Sequence, residues 1–142
     1  MTEILPLAKT LFGRIEWQHV TDPVTIEDMT AYIADGIRHL YTMTGRALEF
    51  SEDMFDFDES STKYVSFAGD LALDEREYVI LSAQIAFLRK VQTTVDDLTS
   101  YTTDALSVTH GDKPYANLQQ TISDLESMRR TIWYKMARYH LL

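Results

Sequence analysis

The chain contains no cysteine. That excludes disulfides, thiolate metal centres and cysteine nucleophiles, and it leaves the compartment open. Glycine is scarce, five in 142 residues, which leaves little from which to build a phosphate-cradling loop. Neither a G-x-x-x-x-G-K loop nor a G-x-S-x-G elbow occurs. The four histidines, His19, His39, His110 and His140, are scattered, and no two have the i, i+4 spacing of a helical zinc site. His39 reads as a boundary residue beside a packed helix face. His110, next to Gly111 and Asp112, reads as turn chemistry rather than a general base. Long apolar runs are missing too. Tyr78–Leu88 is uncharged but too short to cross a bilayer. The start, MTEILPLAK, carries Glu3 and lacks a basic region followed by a long apolar stretch, so no signal peptide is expected. These absences point to a protein made in the cytoplasm, with no cofactor, no metal, no membrane attachment and no enzymatic activity.

One acidic stretch tests the metal expectation directly. "DFDES" (Asp56–Ser60) resembles the first half of a calcium loop. Counting from Asp56, however, the required Gly falls on Ser61 and the bidentate Glu on Phe67. A solvated acidic loop is the better reading.

What is present is charge, unevenly placed. The net charge is −9. Residues 1–44 hold three basic and six acidic side chains, residues 45–77 three and ten, and residues 78–142 are close to balanced. After Glu126 come Arg129, Arg130, Lys135 and Arg138 with no acid among them. An acidic waist and a basic tail disfavour DNA binding through a broad basic face, because phosphate contacts dominate that affinity.

The hydrophobic share of 45% is that of a folded chain, and the length fits one domain, residues 1–142. Periodicity predicts a mainly α fold, a small bundle of about four helices whose last two are long, antiparallel and joined by an extended loop. Helix one, from Glu3 to His19, would bury Leu5, Ala8, Phe12 and Ile15, with Pro6 in its first turn. Helix two follows "TDPVTIED", where Asp22 or Thr25 caps, and carries Ile26, Met29, Ile33, Ile37, Leu40 and Met43. Gly45 stops it, and Gly36 marks a weak point or a close approach. Helix three begins at Asp74 with Glu77 in a capping box, and repeats Leu81, Ile85, Leu88, Val91, Val95 and Leu98. Helix four starts near "DKPYANL" and carries Leu118, Ile122, Leu125, Met128, Ile132, Met136 and Tyr139. Between helices two and three, Phe50, Met54, Phe55, Phe57, Tyr64, Val65 and Phe67 must pack on something, and Lys63–Phe67 is a possible short strand.

Two places look made for contact. The first is "SYTTDALSVTHGDKPYANL" (100–118). Helix–helix connections in bundles usually need about two to eight residues, and this Ser/Thr-rich stretch reads as longer. The second is the last helix, where Trp133, Tyr134 and Tyr139 crowd beside the arginines. Core aromatics with cations at a helix C-terminus explain that pattern. So does a docking element, since Trp, Tyr and Arg are enriched at interface hot spots.

The order of short helix, capped helix, irregular segment and long helix–loop–helix resembles the head-to-tail adaptor proteins of long-tailed bacteriophages, also called head–tail connector or head-completion proteins. The stretch "IAFLRKVQTTVDDLTSYTTDALSVTHGDKPYANLQQTISDLE" (85–126) carries the likeness, with its long helix, Ser/Thr-rich loop ending near an Asp, and return helix. The acidic segment 49–59 departs from that pattern.

The resemblance implies a structural protein of the virion neck. It would form a homo-oligomeric ring of about a dozen copies between the portal protein and a tail-proximal neck or tail protein. Double-stranded DNA would pass through without specific binding. The subunit-interface loop would then be Tyr101, Thr102, Thr103, Asp104, Val108, His110 and Asp112. Docking to the portal would use Arg129, Arg130, Trp133, Tyr134, Arg138 and Tyr139. An acidic channel lining repels phosphates, so the charge fits that use. Two other classes fit the residues as well: an acidic DNA-mimic inhibitor of a nuclease, and a helical domain that binds a partner.

Overall fold

The computed structural model describes residues 1–15, 23–103 and 112–140, with side chains described for 1–15, 23–93 and 118–137. Among these the chain is mainly helical, as the periodicity predicts, with one small sheet added. Strand β1 (Thr2–Glu3) runs straight into helix α1 (Ile4–Arg14). Helix α2 (Ile26–Met43) leads through two short turns, Ala47–Glu49 and Glu52–Met54, into strands β2 (Phe55–Asp58) and β3 (Lys63–Phe67). Two long helices, α3 (Leu73–Thr103) and α4 (Asp112–His140), follow. The sheet is antiparallel with β3 in the middle, Thr2 opposite Phe67 on one side and Phe55 opposite Phe67 on the other.

The sheet explains why α1 buries only half of the expected stripe, Ala8 and Ile15. Thr2 is locked in place: its Oγ1 donates to Gly69 O (2.8 Å) and accepts from Leu71 N (3.1 Å). That contact sets the rotation of the helix that follows at once. Ile4, Leu7, Ala8, Leu11 and Ile15 turn inwards, whereas Leu5 and Phe12 are only partly covered.

Helix α2 is bounded as its sequence dictates. Thr25 accepts from Asp28 N and the Asp28 carboxylate accepts from Thr25 N, a complete capping box. At the other end Gly45, at φ 72°, lets Gly45 N reach Thr42 O and Arg46 N reach Tyr41 O, a Schellman motif. Gly36 is a close approach: a Cβ there would lie 2.6 Å from Val79 O on α3. Met43, expected in the buried stripe, is 50% exposed.

Helix α3 starts at Leu73, one residue before the expected cap Asp74. The Ala72 carbonyl accepts from Arg76 N (2.9 Å), and Ala72 N donates to Glu75 Oε1 (3.0 Å). Asp74 therefore lies inside the first turn. Glu77 is taken by Arg14, which grips both its oxygens at 2.6 and 2.9 Å. From Tyr78 to Ile85 every residue is buried, because α1, α2 and α4 all pack on this helix.

Helix α4 returns antiparallel, pairing Glu126 with Arg89 and Arg129 with Ser82. It buries Leu118, Ile122, Leu125 and Met136, while Met128, expected in the same stripe, is 51% exposed. Helix α3 is described to Thr103 and α4 from Asp112, and the rest of the stretch expected to join them as an extended loop lies outside the described residues.

The segment expected to be an acidic loop is partly strand. Phe55 and Phe57 alternate with Asp56 and Asp58 in β2, and Val65 of β3 is an extra residue between the pairs Asp56–Ser66 and Phe57–Tyr64. Asp58 closes the turn, accepting from Ser60 N (3.0 Å), Ser60 Oγ (2.7 Å) and Ser61 Oγ (2.8 Å), which holds its carboxyl low, at about 2. The hairpin is fastened to α2 by buried Thr30, whose Oγ1 accepts from Tyr64 N (3.1 Å). It is held again by Arg38, which grips Glu52 through two 2.8 Å hydrogen bonds and lies over the Phe55 ring at 5.0 Å.

Candidate functional site

A concavity among the described residues lies between α2, α3 and the second half of α4. It is an open groove of about 390 Å³, continued by a smaller hollow of about 190 Å³ that shares His39, Arg89 and Arg129.

Each wall has a local cause. Helix α2 contributes His39, one residue beyond Arg38. Successive helical residues point about 100° apart, so Arg38 meets the hairpin while His39 meets α3 and α4. Helix α3 contributes Tyr78, whose hydroxyl lies 3.1 Å from His39 Nδ1 with the two rings stacked at 5.7 Å. It also contributes Arg89, paired with Glu126. Helix α4 contributes Arg129, whose Nη1 donates to Ser82 Oγ at 3.4 Å, together with Arg130, Trp133 and Tyr134. Trp133 Nε1 donates to Met43 O at 3.2 Å. This satisfies a carbonyl left open at the end of α2 and ties α4 across the groove. Tyr134 stands edge-on to Trp133 at 5.3 Å and is 61% exposed.

The groove is cationic on balance, with Arg89, Arg129 and Arg130 against Glu126, while Asp35 lines the smaller hollow. Burial pushes His39 below its ordinary value of 6.5, and the charges of Arg129 and Arg89 push it further. Tyr78 is raised above 10.0 by burial, an effect that Arg129 partly offsets. At neutral pH the pair is therefore uncharged, imidazole against phenol. Among the described residues no carboxylate ion-pairs with Arg129 or Arg130. Such a surface attracts anionic groups and offers an aromatic face beside them. Among the described residues no group of three or more His, Asp or Glu is arranged to hold a metal ion.

The hairpin side of α2, about a quarter-turn round the helix from the groove, is acidic. Asp56 and Glu59 are exposed on the hairpin and Asp53 on the turn before it, with Phe57 43% exposed among them. Glu52 is engaged by Arg38, which holds its carboxyl below the ordinary value.

Of the residues expected to dock a partner, Arg129, Arg130, Trp133 and Tyr134 come together in the groove. Arg138 and Tyr139 fall in the last turns of α4, beyond the described side chains. Of the expected interface loop, Tyr101, Thr102 and Thr103 belong to the end of α3 and Asp112 to the start of α4. The reason is that a helix already seated on a packed core tolerates the middling propensities of Tyr and Thr. Asp104, Val108 and His110 lie outside the described residues. Sequence reasoning missed His39, Tyr78, Arg89 and Glu126 as groove residues. No local motif links them; only the repeat spacing of three helices could have aligned them.

No family model matches the chain, and no curated protein and no solved structure resembles it significantly.

Proposed function

We propose that this protein is a non-catalytic assembly component, a ring-forming neck subunit of the kind its sequence resembles. It would sit between a phage portal and the tail-proximal proteins of the virion. The observation that carries the reading is the separation of charge around α2: exposed carboxylates on the hairpin side, and on the groove side Arg129, Arg130 and the Glu126-paired Arg89 with aromatics. Closed rings need two different, complementary patches on each subunit, and a molecule with two such faces supplies them. The acidic face also suits a channel wall, since it repels the phosphates of passing DNA. The stretch from Tyr101 to Asp112 remains the candidate for a further contact between neighbours.

The test is sedimentation with purified phage portal rings. Binding in a fixed ratio, lost when Arg138 and Tyr139 are replaced by Gln and Ser, is the expected result. Absence of portal binding, with tight and salt-sensitive binding to a basic nuclease instead, would favour a DNA-mimic inhibitor. That second reading draws on the acidic hairpin but gives the cationic groove no role.

A further inference from the structure

We infer that the groove between α2, α3 and α4 receives the β2–β3 hairpin of a second copy of this chain. The inference deepens the head-to-tail part of the ring reading and rests on it, but not on the portal.

The fit is chemical on three counts. The groove presents Arg129 and Arg130, for which the described residues provide no carboxylate, and the hairpin presents exposed Asp56 and Glu59. Arg guanidinium and carboxylate match in a forked geometry that few other pairs achieve. Second, each side carries an exposed aromatic next to its charges. Phe57 is 43% exposed with one face against Tyr64 (4.8 Å), and Tyr134 is 61% exposed against Trp133. An aromatic anchor inside a charged surround is the composition of an interface hot spot. Third, the sizes are compatible. A groove of about 390 Å³ is of the size that takes a few side chains. The hairpin meanwhile is a stiff projection, its turn tied by Asp58 and its base fastened at Thr30 and Arg38.

One chain cannot satisfy itself this way. Arg38 and His39 set the hairpin and the groove on different sides of α2, so contact requires another molecule. The pairing is heterologous, with hairpin to groove repeating from copy to copy. It assigns Arg129, Arg130 and Tyr134 to the neighbouring subunit and leaves Arg138 and Tyr139 for a portal.

The experiment uses two full-length variants in sedimentation velocity over a range of concentrations and salt. Arg129→Gln/Arg130→Gln removes the groove charges, and Asp56→Asn/Glu59→Gln removes those of the hairpin; Asp58 is kept because it ties the turn. Thermal melts check that both fold. The wild-type chain should self-associate, less so at high salt. Each variant alone should associate roughly tenfold or more weakly. Mixed in equal amounts they should form a dimer and nothing larger, because one intact hairpin meets one intact groove. A wild-type chain that stays monomeric throughout overturns the inference, as do variants that assemble like wild type or a mixture that stays monomeric. If these fail while portal binding persists, the ring reading stands on another contact. If they succeed while portal binding fails, the contact stands and the neck assignment falls.

Discussion

At the scale of single residues, Gly36 shows how a position can oppose its own helix propensity. Replacing a glycine in a helix interior with alanine ordinarily gains about 1 kcal/mol. Here the new methyl would meet Val79 O at 2.6 Å, a backbone atom that cannot swing aside. Gly36→Ala should therefore destabilise the fold by roughly 1–3 kcal/mol, as overpacking does, and urea unfolding measures it. This approach was legible, because a lone glycine inside an apolar stripe signals either weakness or contact.

His39 was less legible. Its character depends on Tyr78, Arg89 and Arg129, which lie far away in sequence. Its folded pKa is below the ordinary 6.5, so the unfolded chain takes up the proton first. Stability is full above that pH and falls as pH drops through it towards the lower folded value. In urea midpoints taken between pH 7.5 and 5, His39→Gln should decline less steeply than wild type. Identical slopes would mean that His39 is not held neutral by its surroundings.

At the scale of elements, the helices could be read in advance because each carries its own punctuation. Thr25 with Asp28, and Gly45 in its left-handed turn, work within a few residues of chain. Thr25→Ala should cost about 1 kcal/mol in thermal or urea unfolding, with the hairpin undisturbed. Over the described side chains the burial stripes were largely legible on α3 and α4, where Ile85 is 1% exposed and Ile122 is 7%, with Met128 the exception and Val95, Leu98 and Tyr139 outside them. Ile85→Ala and Ile122→Ala should each cost roughly 2–5 kcal/mol through the cavity left behind, read from denaturant midpoints at unchanged m-value. A loss near zero in either would mean that the seam between the long helices is loosely packed. The sheet was harder. β3 could be found from Lys63–Phe67, but β1 is two residues long and is made by pairing with a partner more than sixty residues away. Strand β2 hides its alternation behind aspartates that read first as an acidic loop. The α1 stripe was half right, with Ala8 and Ile15 buried, and Leu5 and Phe12 slipped for the same reason, since a distant strand pair fixes the helix's rotation.

At the scale of the whole molecule, a net charge of −9 conceals two surfaces of opposite character. The acidic waist and basic tail were visible in sequence. That they stand on different sides of α2 was not, because it depends on the hairpin folding back onto Thr30 and Arg38 while α4 packs along α3. Opposite charges on two faces favour head-to-tail contact, an attraction that weakens as salt rises. The ring reading joins that physics to the resemblance in residues 85–126. Its most direct test is particle mass by light scattering, with negative-stain imaging, of the purified chain alone and with portal rings. The account predicts closed rings of one size, formed alone or on the portal. A particle that remains a monomer in both conditions would contradict it.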